Sequence, residues 1–229
     1  MAKKEEHKHE LLENPEALKN TLVDAENWLE RNPKISLGIA AVVVLAVAGF
    51  FGFKYYTKNQ NLEAQKLMFQ AVYYFEQDSL TYALEGDGNN LGFKAIIDRY
   101  SMTDAANLAS YYAGACLLKQ GDFKSARTYL EKYSSNDVLV QARAYALIGD
   151  TYMEEGAFED AAKFYSKAAN HEPNKFFSPA YLMKEALAYE KLSQNDKAKE
   201  AYDKIITQFV GSPEYQNARK YKARLETNS

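Results

Sequence analysis

The sequence predicts an all-α protein, in which one N-terminal transmembrane helix is followed by an α-solenoid of helical hairpins. Nineteen consecutive residues, 35–53, have no charge, which is close to the ~20 residues that a helix needs to cross a bilayer. After this run, apolar residues recur at helical spacing, and the whole chain has only five prolines. Small and aromatic residues also repeat with a period of 35 to 37 residues, which indicates stacked hairpins.

The segment before the run, residues 1–34, is predicted to be a tail with one amphipathic helix at residues 14–31. Residues 1–13 are highly charged, and we expect them to be disordered. Asn14 is a suitable N-cap before Pro15, and Asn32-Pro33 ends the helix. A helix of this kind can lie in a membrane interface or dock on a partner protein, and the sequence leaves both open. Its apolar face consists of Leu18, Leu22, Ala25, Trp28 and Leu29.

Residues 35–56 are predicted to form the transmembrane helix. Charged residues flank the run on both sides, and Tyr55 and Tyr56 follow it at headgroup depth. A cleaved signal peptide is the alternative, since Ala46-Val-Ala48 has the form of a cleavage site. The run is longer than a signal peptide requires, so we expect a retained signal-anchor. Ala48 and Gly52 are small residues about one turn apart, which favours close packing against another helix in lipid.

The flanking charges do not determine the orientation of this helix. Three positive residues lie within 20 residues on each side: Lys19, Arg31 and Lys34 before the run, and Lys54, Lys58 and Lys66 after it. The numbers of positive residues on the two sides are therefore equal, and the positive-inside rule assigns no orientation. We predict a cytosolic N-terminus and an external main domain, because a signal-anchor without an earlier signal normally inserts in that way.

The composition of the main domain, residues 59–229, excludes several classes of function. After the run, 22 Lys and Arg stand against 23 Asp and Glu, so nucleic acid is not an expected partner. The single cysteine, Cys116, has no nearby histidine that would activate it. His7 and His9 lack a third metal ligand, and His171 is predicted to lie in a turn. We therefore predict no enzymatic activity, no cofactor and no metal site.

Repeated residues divide the main domain into hairpins. They place three repeats at about residues 107–140, 142–175 and 179–212. A degenerate hairpin at residues 62–100 precedes these repeats, and a capping helix at residues 213–226 follows them. The recurring sets are Gly114, Gly121 and Ala126 with Gly149, Gly156 and Ala161, and Tyr152, Ala161 and Tyr165 with Tyr189, Ala198 and Tyr202.

The middle repeat resembles the tetratricopeptide (TPR) repeat. The residues at the consensus spacing are Tyr145, Gly149, Tyr152, Gly156, Ala161, Tyr165, Ala168 and Pro173. Gly149 and Ala161 are small where the two helices of a hairpin are expected to cross. Tyr152 and Tyr165 are expected to fill the space between neighbouring helices, and Gly156 is expected in the turn.

The TPR resemblance implies a binding groove lined by the first helix of each hairpin. Placing the repeats on that pattern predicts eight groove residues: Tyr111 and Lys119 from the first repeat, Arg143, Asp150 and Glu154 from the second, and Met183, Glu190 and Lys191 from the third. The set includes both charges, an aromatic ring and a methionine. This mixture suits a protein or peptide partner better than a single charged ligand.

The layout of the whole chain resembles the YfgM family, which comprises bacterial inner-membrane proteins with a periplasmic TPR domain. The similarity includes the stretch Gly92-Phe-Lys-Ala-Ile-Ile-Asp-Arg-Tyr100, which leads into residues 103–109. The resemblance implies an accessory subunit of the Sec translocon that contacts a SecYEG-type channel, a PpiD-like periplasmic chaperone and translocating polypeptides. The alternatives are a TPR adaptor for cell-wall synthesis or outer-membrane assembly, and a cytosol-facing TPR receptor.

Overall fold

A computed structural model describes residues 15–227 of the chain, and the regular secondary structure in this range is helical. The predicted all-α fold is therefore confirmed. The predicted disordered segment, the Asn14 cap, and His7 and His9 lie outside the described residues. The helices are α1 Pro15–Arg31, α2 Pro33–Glu76, α3 Leu80–Glu85, α4 Phe93–Arg99, α5 Asp104–Lys119, α6 Phe123–Lys132, α7 Val138–Glu154, α8 Phe158–Asn170, α9 Ser178–Lys191, α10 Asn195–Gln208 and α11 Tyr215–Thr227.

The chain divides into two compact units, Met1–Tyr56 (unit 1) and Thr57–Ser229 (unit 2). In unit 1, α1 ends at Arg31, and the Asn32 side-chain amide donates to the Trp28 carbonyl at 2.9 Å. Pro33 then begins α2, where its missing N–H costs nothing because the first turn of a helix has no acceptor for it. From the predicted apolar face, Leu22, Trp28 and Leu29 are exposed. The side chains of Leu18 and Ala25 lie outside the described part.

Helix α2 is long and apolar enough to cross a membrane, and its apolar window is not buried inside the structure. The helix does not end with the predicted span at residue 56 but continues to Glu76. Residues 54–61 contain neither glycine nor proline, so nothing in this stretch interrupts the backbone hydrogen bonds. Ala48 and Gly52 are both exposed, and a Cβ built on Gly52 would meet no other atom within 4 Å. Their role in helix packing stays a prediction.

Unit 2 contains three regular helical hairpins, α5–α6, α7–α8 and α9–α10, followed by α11. The preceding part, predicted as one degenerate hairpin at residues 62–100, consists of the end of α2 and the short helices α3 and α4. Helix α3, which has only six residues, was not predicted from the sequence. The loop after α3 is organised by Asp87, which accepts hydrogen bonds from the Tyr74 hydroxyl at 2.6 Å and the Asn90 N–H at 2.6 Å.

The turns inside the hairpins share one backbone arrangement. In each, an N–H just past the first helix donates to a carbonyl five residues earlier, and the residue before that N–H has a positive φ. Glycine occupies this position at Gly121 and Gly156, whereas Ser193 occupies it in the third hairpin with φ 57°. The same arrangement ends α2, where Asp78 has φ 56°. The four hydrogen bonds join Ser79 to Tyr74, Asp122 to Leu117, Ala157 to Tyr152, and Gln194 to Tyr189.

Two glycines allow the helices of a hairpin to approach closely. A Cβ on Gly114 would lie 2.5 Å from Cγ of Leu130, and a Cβ on Gly149 would lie 2.7 Å from the Tyr165 ring. Such distances are well inside van der Waals contact, so the interfaces between α5 and α6 and between α7 and α8 depend on these glycines. Ala161 is fully buried at the second crossing, as the TPR resemblance implied.

The first helices of successive hairpins lie side by side and run in the same direction. Between α2 and α5, the Ala105 N–H at the start of α5 donates to Asn61 Oδ1 at 2.9 Å, and Lys119 Nζ at the end of α5 donates to Asp78 Oδ1 at 2.6 Å. Unit 2 therefore has two opposite edges. The loop edge contains the connections between hairpins, residues 100–103, 133–137, 171–177 and 209–214. The turn edge contains the turns within them, residues 77–79, 120–122, 155–157 and 192–194.

Glu185 of α9 is a buried carboxyl group that lacks full compensation. Its side chain is 4% exposed, and its Oε2 atom has no hydrogen-bond partner in the described structure. Burial raises the pKa of Glu185 above its ordinary value. The positive charge of Lys204 and a hydrogen bond with Ser166 oppose this shift, and the negative charge of Glu200 adds to it. Because the folded protein binds this proton more tightly than the unfolded chain does, stability falls as pH rises from about 4.5 through the folded pKa.

We predict that Ser193→Gly stabilises the protein. Serine in the left-handed region has a steric cost that glycine avoids. We expect the free energy of unfolding to rise by a net amount of about 0.5–1 kcal/mol, after subtraction of the larger conformational entropy that glycine loses on folding. Thermal unfolding of the full chain in detergent measures the gain. The matched control is Gly156→Ser, which should lower the midpoint by a similar amount. An unchanged or lower midpoint for Ser193→Gly would contradict the strain argument.

We predict that Glu185→Gln raises the midpoint of thermal unfolding by about 2–4 °C at pH 8, equivalent to roughly 1 kcal/mol, and by less at pH 4.5. The substitution removes a buried charge that exists only after the carboxyl group ionises. Glu131→Gln, on the exposed face of α6 and not among the groups that shift the pKa of Glu185, is the control and should change the midpoint little at either pH. An equal gain at both pH values would show that ionisation of Glu185 is not the cause.

Candidate functional site

The first helices of unit 2 line a row of three adjoining depressions. The first has a volume of about 240 Å³ and lies between the end of α2, α5 and α7. The second, of about 520 Å³, lies between α5, α7 and α9, and the third, of about 340 Å³, lies between α9 and α11. Leu118 and Lys119 line both the first and the second depression, and Lys184 lines both the second and the third. The row is therefore continuous, and we call it the groove.

Seven of the eight residues that the sequence predicted for a groove line these depressions. Lys191 is exposed at the end of α9 and lines none of the three. The lining residues that the sequence predicted are Tyr111 and Arg143 in the first depression, Asp150 and Glu154 in the second, Met183 and Glu190 in the third, and Lys119 in the first two.

Tyr111 forms part of the groove wall rather than a free contact surface. Its side chain is 7% exposed, and its ring packs against Tyr112 and Tyr133 with centroids 5.4 and 5.6 Å apart. Burial raises the pKa of Tyr111 to about 12, and the nearby Arg143 opposes that shift. Arg143 itself is exposed and forms no ion pair within residues 15–227. It is the cation that the first depression offers to a ligand.

The charges of the second depression are largely paired within the protein. Asp150 accepts a hydrogen bond from the Tyr165 hydroxyl at 2.7 Å, and its two oxygens lie 2.7 and 2.9 Å from Lys184 Nζ. Lys119 is paired with Asp78 and lies over the ring of Phe75. Burial and the negative charge of Asp150 raise the pKa of Tyr165, so this hydroxyl stays a neutral donor. Lys184 was not predicted as a groove residue from the sequence.

The third depression repeats this arrangement with different residues. Glu190 accepts a hydrogen bond from the Tyr202 hydroxyl at 2.7 Å and forms an ion pair with Arg224 of α11. In both depressions a buried tyrosine from the second helix of a hairpin reaches a carboxylate on its first helix. The next first helix along the row supplies the cation. One cluster links the second hairpin to the third, the other links the third hairpin to α11, and both place paired charges at the floor of the groove.

The groove can therefore hold a polypeptide chiefly through apolar contact. Leu118, Met153, Met183 and Leu187 line the second and third depressions, and Leu187 is 45% exposed. Apart from Arg143, the lining charges without an ion pair within residues 15–227 are Glu76 in the first depression and Glu154 in the second, and both are exposed at the ends of their helices. An extended segment with apolar side chains fits this surface better than a highly charged one.

Cys116 and His171 are packed against other side chains of unit 2 and do not form a catalytic pair. Cys116 is fully buried in α5, and burial raises the pKa of its thiol to about 12, so the reactive thiolate is suppressed at neutral pH. His171 packs edge-on against Tyr145, with ring centroids 5.8 Å apart. No group of three metal-ligating side chains occurs among the described residues.

Comparison with known proteins agrees with the helical repeat and its groove. A family model described as a tetratricopeptide repeat-like domain matches residues 26–224, which is most of the chain. No curated protein sequence matches the chain. Since the match covers the hairpins, their turns and the groove, the chain belongs to the tetratricopeptide repeat-like family.

Proposed function

We propose that this protein is a membrane-anchored scaffold that binds partner proteins in its groove beside the exit of a SecYEG-type channel. TPR-like domains act as modules for protein–protein interaction and are typically not catalytic. The observation that supports this function most directly is the continuous row of depressions with paired charges and an apolar lining. A bacterial inner-membrane location, a periplasmic unit 2 and a PpiD-like chaperone as co-partner belong to the same proposal.

Membrane anchorage is supported by the apolar part of α2. The residues of this part are exposed, including Leu37, Leu45 and Phe51 at 74%, 71% and 63%. Exposed apolar surface on this scale is unfavourable in water and favourable in lipid, where the helix also satisfies its own backbone hydrogen bonds. Anchorage would hold the groove near one membrane and raise its concentration there without requiring tight intrinsic affinity.

A role at a channel exit suits the chemistry of the groove. A polypeptide that leaves a translocation channel is extended, exposes apolar side chains and is present only briefly. An apolar surface on a tethered scaffold can bind such segments, or the chaperone that receives them, and release them again. The resemblance to the YfgM family supports the same location and the same partners.

We predict that mild-detergent purification of the full chain from its native membrane recovers channel subunits and a PpiD-like chaperone, identified by mass spectrometry. The double variant Arg143→Glu/Leu187→Asp should lower this recovery about tenfold, because both exposed side chains lie in the groove. The matched control is Phe69→Asp/Lys220→Glu, which changes exposed residues outside the groove. Recovery of cell-wall or outer-membrane assembly proteins instead would replace the translocon proposal.

We predict that α2 contacts the channel through its small residues. Ala48→Leu/Gly52→Leu should reduce co-purification of channel subunits at least threefold while the protein stays in the membrane fraction, because close helix approach in lipid requires small side chains. Val43→Leu/Val47→Leu has the same four-residue spacing with little change in size and should have little effect. Equal recovery with both double variants would leave α2 as an anchor alone.

We predict a cytosolic N-terminus and an external unit 2. In a Cys116→Ala background, a cysteine introduced at the exposed Gln120 should react with a membrane-impermeant maleimide while the inner membrane is intact. A cysteine introduced at the exposed Lys19 should react only after that membrane is opened. The reverse pattern would favour the cytosol-facing receptor.

A further inference from the structure

The loop edge of unit 2 has a large exposed apolar side chain in, or within two residues of, each of its four connections. Met102 is 71% exposed before α5, and Leu139 is 50% exposed in the first turn of α7. Phe176 and Val210 are 70% and 68% exposed in the connections before α9 and α11. Because the first helices are parallel, these four side chains lie along the same edge. A folded domain has no reason of internal stability to repeat such exposure at four successive connections.

The turn edge differs from the loop edge in this respect. Its four turns have no large apolar side chain that is exposed, and the apolar residues beside them, such as Phe123 and Phe158, are partly buried. The two edges are separated by about 24 Å, which is the length of the 16 residues of α5. Exposure of apolar residues is therefore a property of one end of the hairpins rather than of connecting segments in general.

The chain enters unit 2 at the loop edge. Asn61 lies there, since its side-chain oxygen accepts the Ala105 N–H at the start of α5. The uncharged run ends at Phe53, eight residues before Asn61. Eight residues span at most about 28 Å even when fully extended. A bilayer that holds the run is therefore within this chain length of the loop edge.

The charges near the loop edge are mixed in sign. Arg99, Lys132 and Lys175 are accompanied by Asp98, Asp137 and Glu172. Such a surface is not attracted strongly to anionic headgroups, so its contact with lipid would depend on the apolar side chains. Methionine, leucine, phenylalanine and valine at the tips of connections can enter the region between headgroups and acyl chains.

We propose that the loop edge of unit 2 rests on the surface of the bilayer that holds α2, with Met102, Leu139, Phe176 and Val210 in contact with lipid. This contact fixes which end of the hairpins faces the membrane, and the groove then runs along the membrane surface. The inference rests on the proposed membrane anchorage of α2.

The test uses the full chain in vesicles of zwitterionic phosphatidylcholine that contain brominated acyl chains. In a Cys116→Ala background, a single cysteine at Val210 or at Gln120 is labelled with a small fluorophore. Bromine quenches only at short range, so we expect at least twofold stronger quenching at position 210, on the loop edge, than at position 120, on the turn edge. Quenching at position 210 that is no stronger than at position 120 overturns the proposal.

A second variant separates contact from mere proximity through the tether. Phe176→Ser/Phe177→Ser should at least halve the quenching at position 210, whereas Phe69→Ser, which removes an exposed ring of α2 away from this edge, should not change it. Unchanged quenching in the double variant would show that only the tether keeps the edge near lipid, and would overturn the proposal. Flotation of the vesicles tests the anchor separately, because a chain that fails to float with them refutes membrane anchorage and the edge contact together.

Discussion

The close approach of two helices within each hairpin is the constraint on which the rest of unit 2 depends. Gly114 and Gly149 leave no room for a Cβ, and Ala161 is fully buried at one of the crossings. A hairpin packed in this way is thin, so a single hairpin cannot bury its apolar surface, and it must stack on its neighbours. Stacking aligns the first helices in parallel, and this alignment creates both the groove and the two unlike edges.

Tyrosine has two functions in this arrangement. The rings of Tyr165 and Tyr202 are buried and fill the space between helices, while their hydroxyls reach carboxylates at the groove floor. Each carboxylate also pairs with a cation from the next first helix, so a polar link between hairpins is formed where the core meets the groove. The high tyrosine content of the chain, 18 residues, is explained in part by this double use.

The sequence predicted the features that depend on residues close together in the repeat. Gly149, Gly156 and Tyr165 were recognisable because their spacing repeats and because small and aromatic residues have distinct packing roles. Lys184 and Arg224 were not predicted, since each pairs with a carboxylate more than 30 residues away, and stacking alone decides which cation reaches it. Asp78 was missed for a different reason: it takes a left-handed turn position where the other repeats suggest glycine. Tyr111 was expected to face a partner, yet it is mostly covered by neighbouring rings.

The paired charges of the groove have a consequence for binding kinetics. A surface whose carboxylates and cations already neutralise each other produces little long-range field, so it does not steer an approaching chain electrostatically. Association then proceeds at an unassisted rate, typically about 10⁵–10⁶ M⁻¹s⁻¹, and differences between ligands arise mainly from how fast they leave. Residence time in the groove would then follow the apolar content of the bound segment and depend only weakly on salt.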